Sequence, residues 1–435
     1  MSQGQTTELF PTVRLANAAH RMSPTPGPLR NTIGLESIIP GAGELTNNPW
    51  LDSNNPGNLY LPGEILYGKL RPYLAKVWIA DRSGNYIGDF IRMRPANGFT
   101  GQYLRYTLLT NQFTQQAYNA AAGTKMPRTE WDSLKYLRIP SPSRATQNII
   151  VDYLDHETAE IDAAISDQIA LIGLLEERQR VQKYRLATGQ TLATSRGAEV
   201  VQFWGELPLD WSLQKLQWHF DIGNGSTPST STTRFWDQDG FPWLNSSVVN
   251  QPSVVHPSRR VSHTALEELH LPIVPPGSLL MGITGQGKTR GMVTALDIEA
   301  TINQHLAYLA PRSPQSPISV EYLRLALAVA YPELRQLSDG NGGTKGALTC
   351  HMLQQFRIPV PPKDLQAVLV TEARRETAAT TQAVADAESF IALARERRAA
   401  LITAAVTGQI DVTARNKPAA EQLEDDIAQG LHREN

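Results

Sequence analysis

The sequence predicts an α+β protein made by internal duplication. Two globular heads of mixed helix and strand would be separated by two long helices, which pair antiparallel as a coiled coil about a pseudo-twofold axis. Three observations lead there. Short motifs recur once at near-constant spacing, a long proline-free stretch follows each Gly- and Pro-rich part, and the second of these stretches carries an unbroken heptad.

The repeat is read from particular residues. Tyr103-Leu104-Arg105 returns 219 positions later as Tyr322-Leu323-Arg324. The same offset joins Arg138-Ile139-Pro140 to Arg357-Ile358-Pro359, Gln147 to Gln366, Glu177-Arg178 to Glu396-Arg397, and Thr188-Gly189-Gln190 to Thr407-Gly408-Gln409. PGEILYG from Pro62 aligns with PGSLLMG from Pro276 at an offset of 214, so the earlier part of each copy varies in length as well as sequence. A shared frame with a variable head suits two modules that do one job on different targets.

Residues 1–144 and 191–362 form the heads. Runs such as GEILYGKL and GSLLMGI read as short strands between turns, and Tyr103 to Leu109 as a helix. Residues 145–190 and 363–411 form the helices. Gln147 to Thr188 contains no proline and one glycine, Gly173, while Leu365 to Thr407 contains neither. Pro140, Pro142, Pro361 and Pro362 precede the helices, and Gly189 and Gly408 close them. The second helix repeats every three and four residues: Val370, Ala373, Thr377, Thr380, Val384, Ala387, Ile391, Ala394, Arg398, Leu401, Ala405. The first offers Leu154, Ile161, Ile165, Ile169, Ile172 and Leu175 as the facing stripe. Each helix extends about 60 Å, the length of about 18 base pairs. Residues 412–435 are polar and charged, the composition of a flexible tail.

Composition narrows the function classes. Hydrophobic residues at 41% and charged residues at 19% describe an ordinary soluble globular chain. No apolar run approaches the ~20 residues of a membrane span, and the N-terminus lacks a basic stretch ahead of an apolar core, so a cytoplasmic protein is expected. The single cysteine, Cys350, excludes a disulfide framework and a cysteine-built zinc site. Net charge is −2, but residues 1–146 hold 15 Lys+Arg against 9 Asp+Glu, whereas residues 147–190 hold 4 against 8. Such asymmetry fits a surface that meets nucleic acid in one place and protein in another.

Motifs for catalysis fall short. Gly282-Ile283-Thr284-Gly285-Gln286-Gly287-Lys288-Thr289 satisfies the P-loop expression, which raises the alternative of a nucleotide-binding enzyme. The Arg290-Gly291-Met292-Val293-Thr294 that follows is a poor first turn for the required helix, and no apolar run ending in Asp comes after it. Asn48-Pro49-Trp50 and Gly223-Asn224-Gly225 are fragments of methyltransferase motifs that read better as turns, and the histidines show no metal-ligand spacing. No catalytic residue and no metal site is expected. A coiled-coil scaffold without a DNA role is the other alternative, against which stand the duplicated heads.

The ordered set LPLDWSLQKL (Leu207 to Leu216), DIGNGSTPS, PGSLLMGITG, NQHLAYL (Asn303 to Leu309), GTKG, and FRIPVPP before a helix resembles the target-recognition domain of type I restriction-modification specificity subunits. The resemblance runs through both copies, from about residue 10 to 411. The first head departs from it: PTVRLANAAH lacks the Trp-containing entry, and FIRMRP (Phe90 to Pro95) replaces the NQH run. The resemblance implies two target-recognition domains that read a bipartite site in double-stranded DNA, with the helices as a ruler for the unread spacer. It also implies two methyltransferase subunits, using S-adenosylmethionine to methylate adenine N6, and two restriction or motor subunits, using ATP and Mg for site-specific DNA cleavage. This chain would hold no cofactor and perform no catalysis.

Three groups are the DNA-contact candidates. Lys69, Arg71, Tyr73 and Lys76 interleave basic and aromatic residues in a Gly/Pro-bounded loop. The two GTK loops supply Thr124, Lys125 and Arg128, and Thr344 with Lys345. Asn224, Ser226 and Thr227 join the loop carrying Thr284, Gln286, Lys288 and Arg290, where polar side chains suit base edges and cations suit phosphates.

Overall fold

A computed structural model gives the protein in side-chain detail and describes residues 10–27, 31–52, 57–192, 195–201, 203–285, 287–339 and 346–412. The chain forms two compact units, one of residues 1–170 with 387–435 and one of residues 171–386. Each unit therefore takes one head, the start of one long helix and the end of the other.

The first unit contains β1 (Thr12–Arg14), β2 (Ala19–Arg21), β3 (Ile65–Gly68), β4 (Val77–Ile79), β5 (Phe90–Pro95), α1 (Gly101–Leu109), α2 (Asn111–Asn119), β6 (Arg138–Pro140) and the start of α3 (Arg144–Ala187). Its main sheet is antiparallel with order β2-β5-β3-β4. Every residue of β3 is buried. Ile65 and Tyr67 enter the core beneath Tyr103 and Leu104, while Leu66 faces a second cluster with Tyr60 and Trp78. A strand covered on both faces reads as a continuous apolar run, which is why ILYG shows no alternation.

The second unit contains β7 (Ser212–Lys215), β8 (Phe220–Asn224), β9 (Trp236–Leu244), β10 (Ser278–Gly282), β11 (Val293–Leu296), β12 (Leu306–Pro311), α4 (Val320–Val329), α5 (Tyr331–Asp339), β13 (Arg357–Val360) and the start of α6 (Lys363–Thr407). Its sheet runs β8-β12-β10-β11 with Ser253–Val254 added in parallel at the edge. Gly282 lies opposite Leu306 as Gly68 lies opposite Phe90, so FIRMRP occupies the place of LAYLAP, the second half of the NQHLAYL segment and beyond. The pair β7–β13 repeats β1–β6.

The shared frame is a set of buried hydrogen bonds. Thr100 and Ser319 cap α1 and α4, each accepting at 3.2 Å from the tyrosine amide three residues on. Gln147 accepts from Thr100 N and donates to Pro142 O, while Gln366 accepts from Ser319 N and donates to Pro361 O and Pro317 O. Tyr103 donates to Val406 O at 3.1 Å, near the end of α6. Tyr322 does the same to Ala187 O at 3.2 Å, at the end of α3. Burial raises the pKa of both phenols far above the ordinary value, so they remain donors. Both long helices close with one motif. Gly189 and Gly408 take φ +68 and +79, and the next amides reach back to Arg185 O and Ala404 O.

In each unit the start of one long helix lies against the end of the other, the antiparallel pairing that the duplication predicts. In the first, Ile150, Val151 and Leu154 share a core with Ile402, Ala405 and Val406. In the second, Leu186 and Ala187 share one with Leu369, Val370 and Ala373. All eleven heptad positions of α6 are buried or half-buried. Arg398 is tolerated there because Asp162 pairs with it at 3.0 Å and the Gly41 and Ala42 carbonyls accept from it. The stripe read on α3 needs one correction. Ile169 is 53% exposed, and Gln168 holds the inward place between Ile165 and Ile172. Two successive steps of four, from Ile161 through Ile165 to Ile169, rotate a stripe about 80° round the helix, off the seam. Among the described residues no helix is long and apolar enough to cross a membrane.

Candidate nucleic-acid interface

In the first unit, two loops that are distant in sequence are stitched together at one end of the sheet. Arg71 N donates to Pro127 O at 2.7 Å and Thr129 N to Lys69 O at 3.0 Å. Lys69 pairs with Glu130 at 2.9 Å, and Arg128 shares that carboxylate at 3.0 Å while reaching Asp89 at 2.9 Å. Burial acts to raise the Glu130 pKa, but the hydrogen bonds from Lys69 and Arg128 outweigh it and hold the carboxyl below its ordinary range. Arg71, in the left-handed region at φ +51, is exposed, as are Thr124 and Lys125. Tyr73 is 50% exposed and stands edge-on to Tyr118 with ring centroids 6.0 Å apart. Lys76 turns inward instead. Its ammonium donates to Leu35 O, and burial lowers its pKa. The loop thus presents Arg71 and Lys125 outward, two cations with no ion-pair partner among the described residues, beside charges already neutralised.

The corresponding end of the second unit is tied mainly by polar hydroxyl, amide and imidazole groups. Thr227 Oγ1 donates to Gln304 Oε1 at 2.6 Å, and Thr284 Oγ1 lies 2.7 Å from His305 Nδ1. Trp243 donates to Ser226 O at 3.1 Å, and Asn224 is exposed at the end of β8. Asn224, Ser226, Thr227 and Thr284 are therefore brought together with Gln304 and His305. Lys288 is exposed, its carbonyl accepting from Tyr331. Arg290 is buried and paired at 2.5 Å with the exposed Asp339, so its charge is already answered within the chain. Gln286, Thr344 and Lys345 lie outside the described residues.

The P-loop expression has no P-loop geometry. β10 ends at Gly282, and the loop returns through β11, antiparallel to β10, with no helix N-terminus between them among the described residues. Asn48-Pro49-Trp50 lies in an irregular loop, Pro49 O accepting from Ser37 Oγ at 2.6 Å.

Residues 208–371 match the family model of the type I restriction modification DNA specificity domain. The EcoDI specificity subunit of Escherichia coli is 30% identical over 130 residues, 29% of each chain. The MjaIX specificity subunit of Methanocaldococcus jannaschii is 25% identical over 38% of each. The EcoR124I/EcoR124II specificity subunit of E. coli is 23% identical over 53% of this chain and 52% of its own. These matches span roughly a third to a half of the curated relatives. Among solved structures, a chain from a study of type I R-M complex assembly and conformational transition shares the fold with TM-score 0.66, at 20% identity over 92% of this chain and 98% of its own. The HsdS subunit of Thermoanaerobacter tengcongensis does so with TM-score 0.51, at 18% identity over 94% and 100%. Residues 208–371 are thus similar to the type I DNA specificity domain, and the chain shares the fold of these solved structures.

The matched range holds the Asn224-to-Thr284 cluster, whereas the Lys69 and Lys125 loops lie outside it. The range also holds residues that the sequence reading missed. Trp236, Arg259, Arg260, Asp237 and Gln238 line an open cleft of about 630 Å³. The Arg259 guanidinium lies 3.7 Å from the Trp236 ring centroid, and Trp243 stands edge-on to Trp236 at 5.4 Å. Arg260 is steered by a 2.8 Å bond to Gly240 O. The adjacent arginines after Pro257 were the visible signal, but Trp236 lies 23 positions away and only β9 brings it close. His156, Glu157 and Glu160 on α3 also bring candidate ligand atoms within 4.8 Å of one another. His156 and Glu160 are an exposed i,i+4 pair 3.4 Å apart, which is ordinary helix-surface chemistry.

Proposed function

We propose that this chain is the non-catalytic, sequence-reading subunit of a cytoplasmic type I restriction-modification complex. Each unit binds one half of a split target in double-stranded DNA through the loops at the end of its sheet. The two long helices, continuous through both units, determine the length of the unread spacer. The chain recruits two methyltransferase subunits, which bring S-adenosylmethionine, and two restriction or motor subunits, which bring ATP and Mg. The observation that carries this reading is a duplicated frame with dissimilar tips. Tyr103, Gln147, Tyr322 and Gln366 make equivalent bonds, while the tips differ: Lys69 and Arg128 share Glu130 in the first, and contacts of Thr227 with Gln304 and of Thr284 with His305 stand beside the pair of Arg290 with Asp339 in the second. Exposed cations next to polar side chains supply phosphate contact and base contact together.

The test is co-expression with a partner methyltransferase, followed by mapping of N6-methyladenine. Methylation should be confined to one split motif, and exchanging one head should rewrite one half of it only. Methylation that persists without this chain, or a head exchange that alters both halves, contradicts the proposal.

A further inference from the structure

The second unit contains a cavity of about 360 Å³ lined by Lys183 from α3, Glu321, Arg324 and Leu325 from α4, and Arg374 from α6, with Ala373 among its apolar walls. The duplication shows how it arose. At the 219-residue offset Arg324 corresponds to Arg105, Arg374 to Asp155, and Lys183 to Ile402. In the first unit Arg105 pairs with Asp155 at 3.1 Å, Tyr106 donates to the same carboxylate at 2.6 Å, and Ile402 is buried in the core. Leu325 and Ala373 stand where the first unit has the buried Tyr106 and Leu154. The second copy has therefore lost bulk and a carboxylate at one place, and gained two cations there.

Three cations and one carboxylate leave a charge of +2 around the cavity. Among the described residues neither Arg324 nor Arg374 has an ion-pair partner, and Lys183 meets only the neutral Gln179 amide at 3.2 Å. Burial, and after it the Arg324 charge, lowers the Lys183 pKa. Burial and then Arg374 lower that of Arg324, against a smaller opposing pull from Asp297. Mutual repulsion of this kind is relieved by a bound anion.

We propose that this cavity is a binding site for a terminal phosphate group, as inorganic phosphate or a small phosphomonoester. A terminal phosphate carries about −1.5 to −2 at pH 7, close to the surplus on the walls, and presents oxygens to which a guanidinium donates two parallel hydrogen bonds. A phosphodiester or carboxylate carries one charge and leaves the surplus half answered. The volume lies at the lower end of the range for small-molecule sites, and the apolar walls receive the body of the ligand. This site goes beyond the DNA reading and does not depend on it.

The experiment is calorimetric titration of the full chain at constant ionic strength with inorganic phosphate, adenosine monophosphate, acetate and chloride. A parallel titration is made in the presence of a DNA duplex. Saturable phosphate or monophosphate binding is expected, at least tenfold weaker in Arg374→Asp and absent in Arg374→Asp with Lys183→Ile. Both changes copy the first unit, so the fold tolerates them, and circular dichroism verifies this. Absence of saturable binding, unchanged affinity in Arg374→Asp, or acetate binding as tightly as phosphate overturns the proposal. Displacement of phosphate by the duplex overturns the small-ligand assignment in favour of the DNA backbone.

Discussion

At the tip of the first unit, Lys69, Arg128, Glu130 and Asp89 tie two loops together by charge, whereas at the corresponding end of the second unit Thr227 meets Gln304, Thr284 meets His305, and Arg290 makes an ion pair with Asp339. Near the long helices the comparison reverses, and Gln147 and Gln366 repeat each other's partners almost atom for atom. The small outer sheets differ in order as well. Gly84–Tyr86 is the central strand of the first and β9 that of the second. Copies of one ancestor have kept the positions where the chain grips itself and changed those that face outward. A buried amide has its partners prescribed by desolvation, but an exposed loop answers only to what it touches.

The comparison can be broken first in the core. Leu154→Ala should destabilise the first unit by about 2–5 kcal/mol in chemical denaturation, although the second unit carries Ala373 at the same position. A loss below about 1 kcal/mol would mean that the two sites are not packed differently. Next, Gln147→Ala and Gln366→Ala should each cost about 1–3 kcal/mol. A strongly unequal pair would end the equivalence of the frames.

Two further predictions sharpen the contrast at the tips. Arg259→Ala should weaken duplex binding by about 1–3 kcal/mol and relax preference in one half-site only, whereas Arg71→Ala should weaken binding to all sequences alike and reduce the salt slope by about 1. Competition with duplexes scrambled in either half separates the two. If Arg71→Ala alters sequence preference, that side chain reads bases and the division fails. Smallest of all, Ile169→Ser should shift stability by less than about 0.5 kcal/mol, while Ile165→Ala should cost several times more.

Much of the architecture was legible because duplication leaves register behind. A constant offset of 219 picked out Tyr103 and Tyr322, and the alternation of three and four in α6 identified a seam whose every position is covered. The facing stripe was harder to read. Its inward positions include Gln168, Gln179 and Gln182, which carry no apolar signal, and exposed Ile169 advertised itself in their place. Among the DNA-contact candidates, charge alone did not distinguish Arg71, which faces outward without an ion-pair partner among the described residues, from Arg290 and Lys76, whose charged ends are taken up by Asp339 and Leu35 O.

The amino-acid sequence by itself determined the twofold plan, the two long helices and their antiparallel pairing, because periodicity and repetition are properties of order along a line. Only the tertiary structure decided which cations are spent on internal partners, that Trp236 and Arg259 share a cleft, and that Lys183, Arg324 and Arg374 surround a cavity. Those facts depend on distances across elements far apart in the chain, and an ionic or hydrogen-bonding group is neutralised by whatever the fold places within a few ångströms of it.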